Sequence, residues 1–309
     1  MKQSPQAPPE IPLRREMSFE YGVAGGIMPG VVRIVAENPG PFTFKGTNTY
    51  LVGSKSLAVI DPGPADERHC GAILAAAQGR PITHILITHA HRDHVDGLAA
   101  LQAATGAKSI GYGRAQLAVP DALKSPSGKD FVALDFAPDV AAADGDVFEG
   151  EDWALEALHT PGHAPDHICF HLSGHGVVFS GDHVMSWNTT VIAPPEGRMS
   201  DYLRSLSRLL DTDSDVYLPG HGGRLEEARR TVKAFLLHRQ WREQAALGAI
   251  RRRNATVREM VAMIYRDIDE KLMAAAGLSV MAHVEHLREQ GLVTYDDPLD
   301  FDSPLRAVE

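Results

Sequence analysis

The stretch HILITHAHRDHVDG, residues 84–97, sets four histidines and two aspartates behind a short β-branched run. Imidazoles and carboxylates are ligands that zinc, iron and manganese accept. ILIT reads as a buried strand, so His89 and His91, two residues apart, leave its end pointing the same way. Asp93 and His94 follow where a helix begins. Ionisable groups crowded into one turn destabilise a fold unless something compensates them, and a metal ion does so directly. Three more candidates end other β-type runs beside glycine: His163 in HTPGHAPDH, Asp182 in FSGDHV and His221 in YLPGHG. Glycine lets the backbone turn sharply and expose a ligand. Ligand-type side chains delivered from four strand ends imply one metal-bearing edge of a sheet. His167 suits a structural hydrogen bond as well as a substrate contact, and His69, His84, His159, His171, His175, His183, His238, His283 and His286 need no chemical role.

The elements that must position these residues are short β-type runs, among them VVRIVA, NTYLVG, SLAVIDPG, HICFHL and GVVFSGD, punctuated by Gly, Pro and Asp. Helical stretches at 66–78 and 96–104 lie between them, which predicts layered sheets and helices. After His221 one long helix is expected over about 224–250, with Val232, Phe235, Leu236, Leu247 and Ile250 at helical spacing. A smaller unit follows. Thr256 and Glu259 have the spacing of a capping box, a short second helix is expected to end near Gly277, and a third places Val280, Val284 and Leu287 on one stripe before Gly291. With the strand LVTY, this looks like a winged helix. The expected division is a disordered segment over 1–16, a catalytic domain over 17–245 that includes the connecting helix, and a winged-helix-like domain over 246–309.

With 309 residues and 44% hydrophobic content the chain can bury a large core. A net charge of −10 argues against a generally basic nucleic-acid binder. Residues 224–258, however, hold ten Lys/Arg against three Asp/Glu, so the rest carries −17. Arg251, Arg252 and Arg253 at the end of that segment could steer a phosphate backbone, or could simply be a solvated helix surface. Residues 246–309 carry eight Lys/Arg and eleven Asp/Glu, which argues against sequence-specific DNA binding. Cys70 and Cys169 form no CxxC pair, so neither a disulfide framework nor a cysteine zinc site is expected. The polar, Pro-rich start has no signal-peptide core, and no run reaches the length of a membrane span. A cytoplasmic protein is the expectation.

Together THAHRDH, TPGH, SGD and PGHG resemble the metallo-β-lactamase superfamily in order and spacing across about 200 residues. That resemblance implies an α/β fold, a four-layer αββα sandwich, with two divalent metal ions at one edge; zinc comes first, with manganese or iron as alternatives. It implies that His89, His91 and His163 bind one ion, that Asp93, His94 and His221 bind the other, and that Asp182 bridges them with a hydroxide between. Asp93 and Asp182 would be the catalytic carboxylates. Asp61 in AVIDPG resembles the aspartate that hydrogen-bonds toward a metal ligand; taken alone, it reads as a turn residue before Pro62 and Gly63. An aspartate at 182 resembles the glyoxalase II, ribonuclease and phosphodiesterase branches rather than true β-lactamases.

GTNTYLVG, TTVIAPPEGRMSDYLRSLSRLL and HRQWREQ further resemble the lactamase-beta-2-like proteins, which carry a C-terminal winged helix and some of which cleave single-stranded RNA. The expected activity is therefore metal-dependent hydrolysis of a phosphodiester in single-stranded RNA or of a small-molecule ester or thioester. The alternatives are a mononuclear iron oxidoreductase resembling persulfide dioxygenases and a glyoxalase II-like thioesterase. Met185 and Trp187 could form an apolar wall beside the metals, where Trp187 could stack on a base or cover an acyl chain; ordinary core packing would explain them too. A homodimer is the default expectation for the helical tail.

Overall fold

The computed structural model describes residues 9–113, 131–253, 255–265 and 273–308. Its first sheet runs β1 (Gly25–Met28), β2 (Val31–Val35), β3 (Asn48–Val52), β4 (Leu57–Ile60), β5 (Ile82–Leu86), β6 (Lys108–Gly111) and β7 (Val140–Ala141), adjacent in that order. The first four are antiparallel neighbours; from β4 onward pairing is parallel. Helices α1 (Glu67–Ala77), α2 (Arg92–Val95) and α3 (Leu98–Thr105) supply the crossovers. Asp66 caps α1, accepting from the amide of Arg68 at 2.8 Å.

The second sheet orders β13 (Leu225–Glu226), β12 (Val216–Pro219), β11 (Val177–Gly181), β10 (Ile168–Leu172), β9 (Ala154–His159) and β8 (Val147–Glu149). Helix α4 (Met199–Leu209) links β11 to β12, which pair in parallel, and α5 (Ala228–Arg253) follows β13. Side chains alternate across a strand, and the burial pattern shows where each face goes. Ala58 and Ile60 of β4 meet Phe170 and Leu172 of β10 between the sheets, while Leu57 and Val59 turn toward Ile73 of α1 and Leu101 of α3. Cys169 and Val178 face Tyr202 and Leu206 of α4 and Phe235 of α5. The layers are thus helix, sheet, sheet, helix, as expected.

A fourth core holds the C-terminal unit, built from α6 (Val257–Ile264), α7 (Met273–Glu289), β14 (Val293–Thr294) and β15 (Arg306–Ala307). The capping box is formed: Thr256 Oγ1 accepts from the amide of Glu259, and Glu259 accepts from the amide of Thr256 at 3.0 Å. Gly277 does not end a helix. It lies inside α7, where a Cβ would run into the Phe301 ring, so its small size serves close packing rather than a cap. The rest of the expected second helix falls outside the described residues. Of the segment expected to be disordered, residues 1–8 lie outside the described residues. Ile11 and Leu13 pack on the third core and the Arg14 amide donates to the Ser186 carbonyl at 2.7 Å, so residues 9–16 are held against the domain. No described helix is long and apolar enough to cross a membrane, and both cysteines are free.

Candidate metal centre

All the ligand-type residues emerge at one edge where strands end. Thr88, His89 and His91 follow β5; Asp93 and His94 sit on α2; His163 follows β9, Asp182 follows β11 and His221 follows β12. Backbone hydrogen bonds stitch the two sheets together there. The Ile168 amide donates to the Thr88 carbonyl (2.7 Å) and the Asn48 amide to the Gly220 carbonyl (2.7 Å), while within the second sheet the Gly220 amide donates to the Gly181 carbonyl (2.8 Å). Gly220 must be glycine, because a Cβ would meet His94 Cε1 at 2.6 Å and Asp182 Oδ1 at 2.7 Å.

Two lobes result: His89, His91, His163 and Asp182 in one, and Asp93, His94 and His221 in the other, with ligand atoms within 4.8 Å of one another in each. In the first, His91 Nδ1 lies 2.9 Å from His89 Nε2 and 3.2 Å from His163 Nε2, and Asp182 Oδ2 is 3.8 Å from the latter. In the second, His221 Nε2 lies 3.3 Å from His94 Nε2 and 3.2 Å from Asp93 Oδ2. Asp182 Oδ1 faces this lobe, 3.4 Å from His221 Nε2 and 3.6 Å from His94 Nε2, so one carboxylate reaches both lobes.

The donor set fits divalent cations. Tetrahedral ligands with bonds of 2.0–2.1 Å stand about 3.3 Å apart, close to the spacing of these inward nitrogens. The opposite ring nitrogens face other partners: His94 Nδ1 faces Asp61 Oδ2 (2.8 Å), His163 Nδ1 the Val191 carbonyl (2.8 Å), His221 Nδ1 the Gly46 carbonyl (3.2 Å) and His89 Nδ1 the Thr88 hydroxyl (3.0 Å). Such partners fix the tautomer and aim a lone pair inward. Asp182 Oδ1 is buried and has no hydrogen-bond donor among the described residues.

Electrostatics follow the same plan. Burial pushes His89 well below the usual imidazole range, helped by the neighbouring rings of His94 and His91. Burial also opposes charge on His94 and His221, but carboxylates outweigh it: Asp93, Asp61 and Asp182 raise His94 well up, and Asp182 and Asp93 raise His221 to about 10. Burial would raise Asp182 as well; His221 and His94 instead hold it far below the carboxylate range. His89, His94 and His221 are sealed off, while His91, Asp93 and His163 are partly exposed and form the open side.

Asp61 does more than its turn position suggests. Its Oδ1 accepts the Thr88 amide and its Oδ2 the Thr88 hydroxyl, both at 2.8 Å, so it orients His94 directly and His89 through Thr88. His167 is structural: Nε2 accepts the Asp182 amide at 3.2 Å, leaving Nδ1–H to donate to the Thr160 hydroxyl at 3.0 Å. Trp187 stacks on Phe44 with centroids 4.8 Å apart, on the loop that leads to Gly46 and Thr47. Met185 is buried. Arg251 and Arg252 are exposed near the far end of α5. At 1.5 Å per residue Arg251 is about 18 Å along the axis from Arg239, the α5 residue that donates to the Thr190 carbonyl. The Arg253 side chain lies outside the described residues. Contributors that the sequence reading gave no role include the Gly46 and Val191 carbonyls, the hydroxyl of Thr47 donating to Asp93 Oδ2 at 3.0 Å, and Glu196, whose Oε2 is 3.3 Å from His91 Nε2.

Comparison with known proteins agrees with the geometry. The metallo-beta-lactamase superfamily profile matches residues 42–221, and that of the beta-lactamase associated winged helix domain matches 256–299. The chain is 32% identical over 276 residues to a Drosophila melanogaster protein named beta-lactamase-like protein 2 homolog, spanning 84% of this chain and 88% of that one. It is 29% identical over 289 residues to an atrochrysone carboxyl ACP thioesterase of Aspergillus novofumigatus, spanning 87% and 82%. A beta-lactamase domain protein from Burkholderia ambifaria shares the fold with a TM-score of 0.79 at 21% identity, over 95% of this chain and 96% of that one. The chain belongs to the metallo-beta-lactamase superfamily, as a metal-dependent hydrolase with a beta-lactamase associated winged helix domain.

Proposed function

We propose that the chain hydrolyses an acyl thioester, using two divalent ions, zinc foremost, held by the paired lobes. The observation that carries the dinuclear reading is Asp182, whose two oxygens face different lobes. Bound there, the ions would supply hydroxide at neutral pH and polarise the carbonyl oxygen under attack. The protein's part is to orient the lobes through Asp61, Thr88 and the Gly46 and Val191 carbonyls, and to hold Asp93 ionised beside the open side through His94, His221 and Thr47. The thioester C–S bond breaks, water's oxygen joins the acyl carbon, and a carboxylic acid and a thiol leave.

Support for an apolar acyl group comes from the rim. Phe42 and Phe131 are 44% and 60% exposed, and their rings meet edge to face 6.3 Å apart. The Phe131 carbonyl accepts the Arg92 amide at 2.9 Å, and Val132 bridges to His91, so the Phe131 backbone runs beside the open side of the first lobe. Exposed paired aromatics favour an apolar ligand, and the thioesterase relative points to the same bond. Single-stranded RNA would instead call for a run of cations along the opening, where Arg92 is already paired with Asp96.

The test is a panel of a long-chain acyl thioester, an acetyl thioester, single-stranded RNA, a bis-phosphodiester and a β-lactam, each run with metal-loaded wild type and Asp182→Ala. Thioester cleavage by wild type alone is expected. Turnover confined to RNA or to the lactam would sink the proposal.

A further inference from the structure

We propose that Glu196 is the positioning residue of the first lobe, holding His91 in the tautomer and orientation that present Nδ1 to a metal ion. This rests on the metal-centre reading above. The five lobe histidines each have an inward nitrogen, and four have the opposite nitrogen matched to a partner already described: Thr88, Asp61, Val191 and Gly46. His91 is the fifth. Its Nδ1 faces His89 and His163, and its Nε2 faces Glu196 Oε2 at 3.3 Å. The carboxylate lies across the ring from Nδ1, so it cannot share the same ion; it can accept Nε2–H and make the imidazole a stronger donor. Each lobe then has one histidine backed directly by a carboxylate, Asp61 behind His94 and Glu196 behind His91.

The segment carrying Glu196 is fixed from several sides. The Val191 carbonyl faces His163, the Gly197 amide donates to the Ala193 carbonyl at 2.7 Å, and the Arg198 amide donates to the Gly162 carbonyl at 2.8 Å. A Cβ on Gly197 would collide with the Ala193 amide. The Arg198 guanidinium reaches Glu289 Oε1 at the end of α7 through two nitrogens, at 2.7 and 2.9 Å. A carboxylate presented from a backbone fixed in this way restricts how the ring it faces can turn.

The experiment titrates Co2+ into metal-free wild type, Glu196→Gln and Glu196→Ala, with chelator competition for affinity, the visible Co2+ spectrum for coordination and thermal unfolding of each metal-free protein. One site is expected to weaken by about 10–100-fold in the alanine variant. Glutamine, which still accepts Nε2–H but lacks the charge, should lose less. The spectrum should change while the metal-free melting temperature holds. Wild-type affinity and spectrum in both variants overturn the proposal. So does an affinity loss that merely tracks a lower metal-free melting temperature in both, which marks packing. A wild type that takes up no Co2+ overturns the metal-centre reading itself, and this proposal with it.

Discussion

Oδ2 of Asp61 is 2.8 Å from His94 Nδ1 and also 2.8 Å from the Thr88 hydroxyl, which in turn faces His89 Nδ1 at 3.0 Å. One buried carboxylate thus orients a histidine in each lobe. Asp61→Asn is expected to lower affinity at both sites by about 10–100-fold while the far-UV circular dichroism is kept. Chelator competition reads this out, and loss at a single lobe would show that the Thr88 relay carries nothing.

Asp182→Ala should cut turnover by about 10³-fold or more, since removing the shared carboxylate loosens the charge stabilisation worth several kcal/mol in such sites. Metal content per chain, measured alongside, should fall from two toward one. Retained turnover with two ions bound would end the bridging assignment.

Phe131→Ser should raise KM several-fold for a long-chain acyl thioester and leave the acetyl thioester unchanged, because only the longer chain reaches the exposed pair Phe42 and Phe131. Equal effects on both substrates would place the loss in the machinery around His91 rather than in binding.

Gly277→Ala is expected to destabilise the C-terminal unit by about 1–3 kcal/mol, as overpacking against Phe301 outweighs the gain in helix propensity. In a Phe301→Ala background the same change should turn stabilising by up to about 1 kcal/mol. Denaturant unfolding of the four proteins checks the sign reversal.

Acid should loosen the contact between α5 and α7. His283 is buried, and burial, aided by Arg239 and Arg242 and opposed by Glu243, lowers it from 6.5 to about 4. The unfolded chain binds this proton more readily, so stability from His283 is complete above about pH 6.5 and is lost as pH falls toward 4. Neighbouring His238, lowered to about 3, extends the loss. His283→Gln should flatten the slope of melting temperature against pH in that window; an unchanged slope would assign it elsewhere.

Much of the centre was legible because metal ligands announce themselves by residue type and by position after β-runs beside glycine. His89, His91, His94, His163, Asp182 and His221 stood out by type and spacing as candidate ligands, which the structure gathers in two lobes, and Thr256 with Glu259 marked a helix start by side-chain chemistry alone. Glu196 lies inside the quoted TTVIAPPEGRMSDYLRSLSRLL, yet nothing in that string ties it to His91, whose ring it meets only across 105 positions of sequence. The Gly46 and Val191 carbonyls are backbone groups, invisible to any reading of side chains. Gly277 misled for a physical reason: a glycine that ends a helix and one that admits a ring look alike in a string of letters. In residues 9–16 Pro and polar residues dominate, yet Ile11 and Leu13 pack on the third core and the Arg14 amide is hydrogen-bonded to Ser186.

Helix α5 contributes Val232 and Phe235 to the core under the second sheet and Leu247 and Ile250 to the core of the C-terminal unit. The two halves of the molecule therefore share a structural beam rather than a hinge. A protease nick before Val232 would strip a wall from the core under the second sheet, and one between Phe235 and Leu247 would sever the spine that both units pack on, so the two are expected to unfold as neighbours.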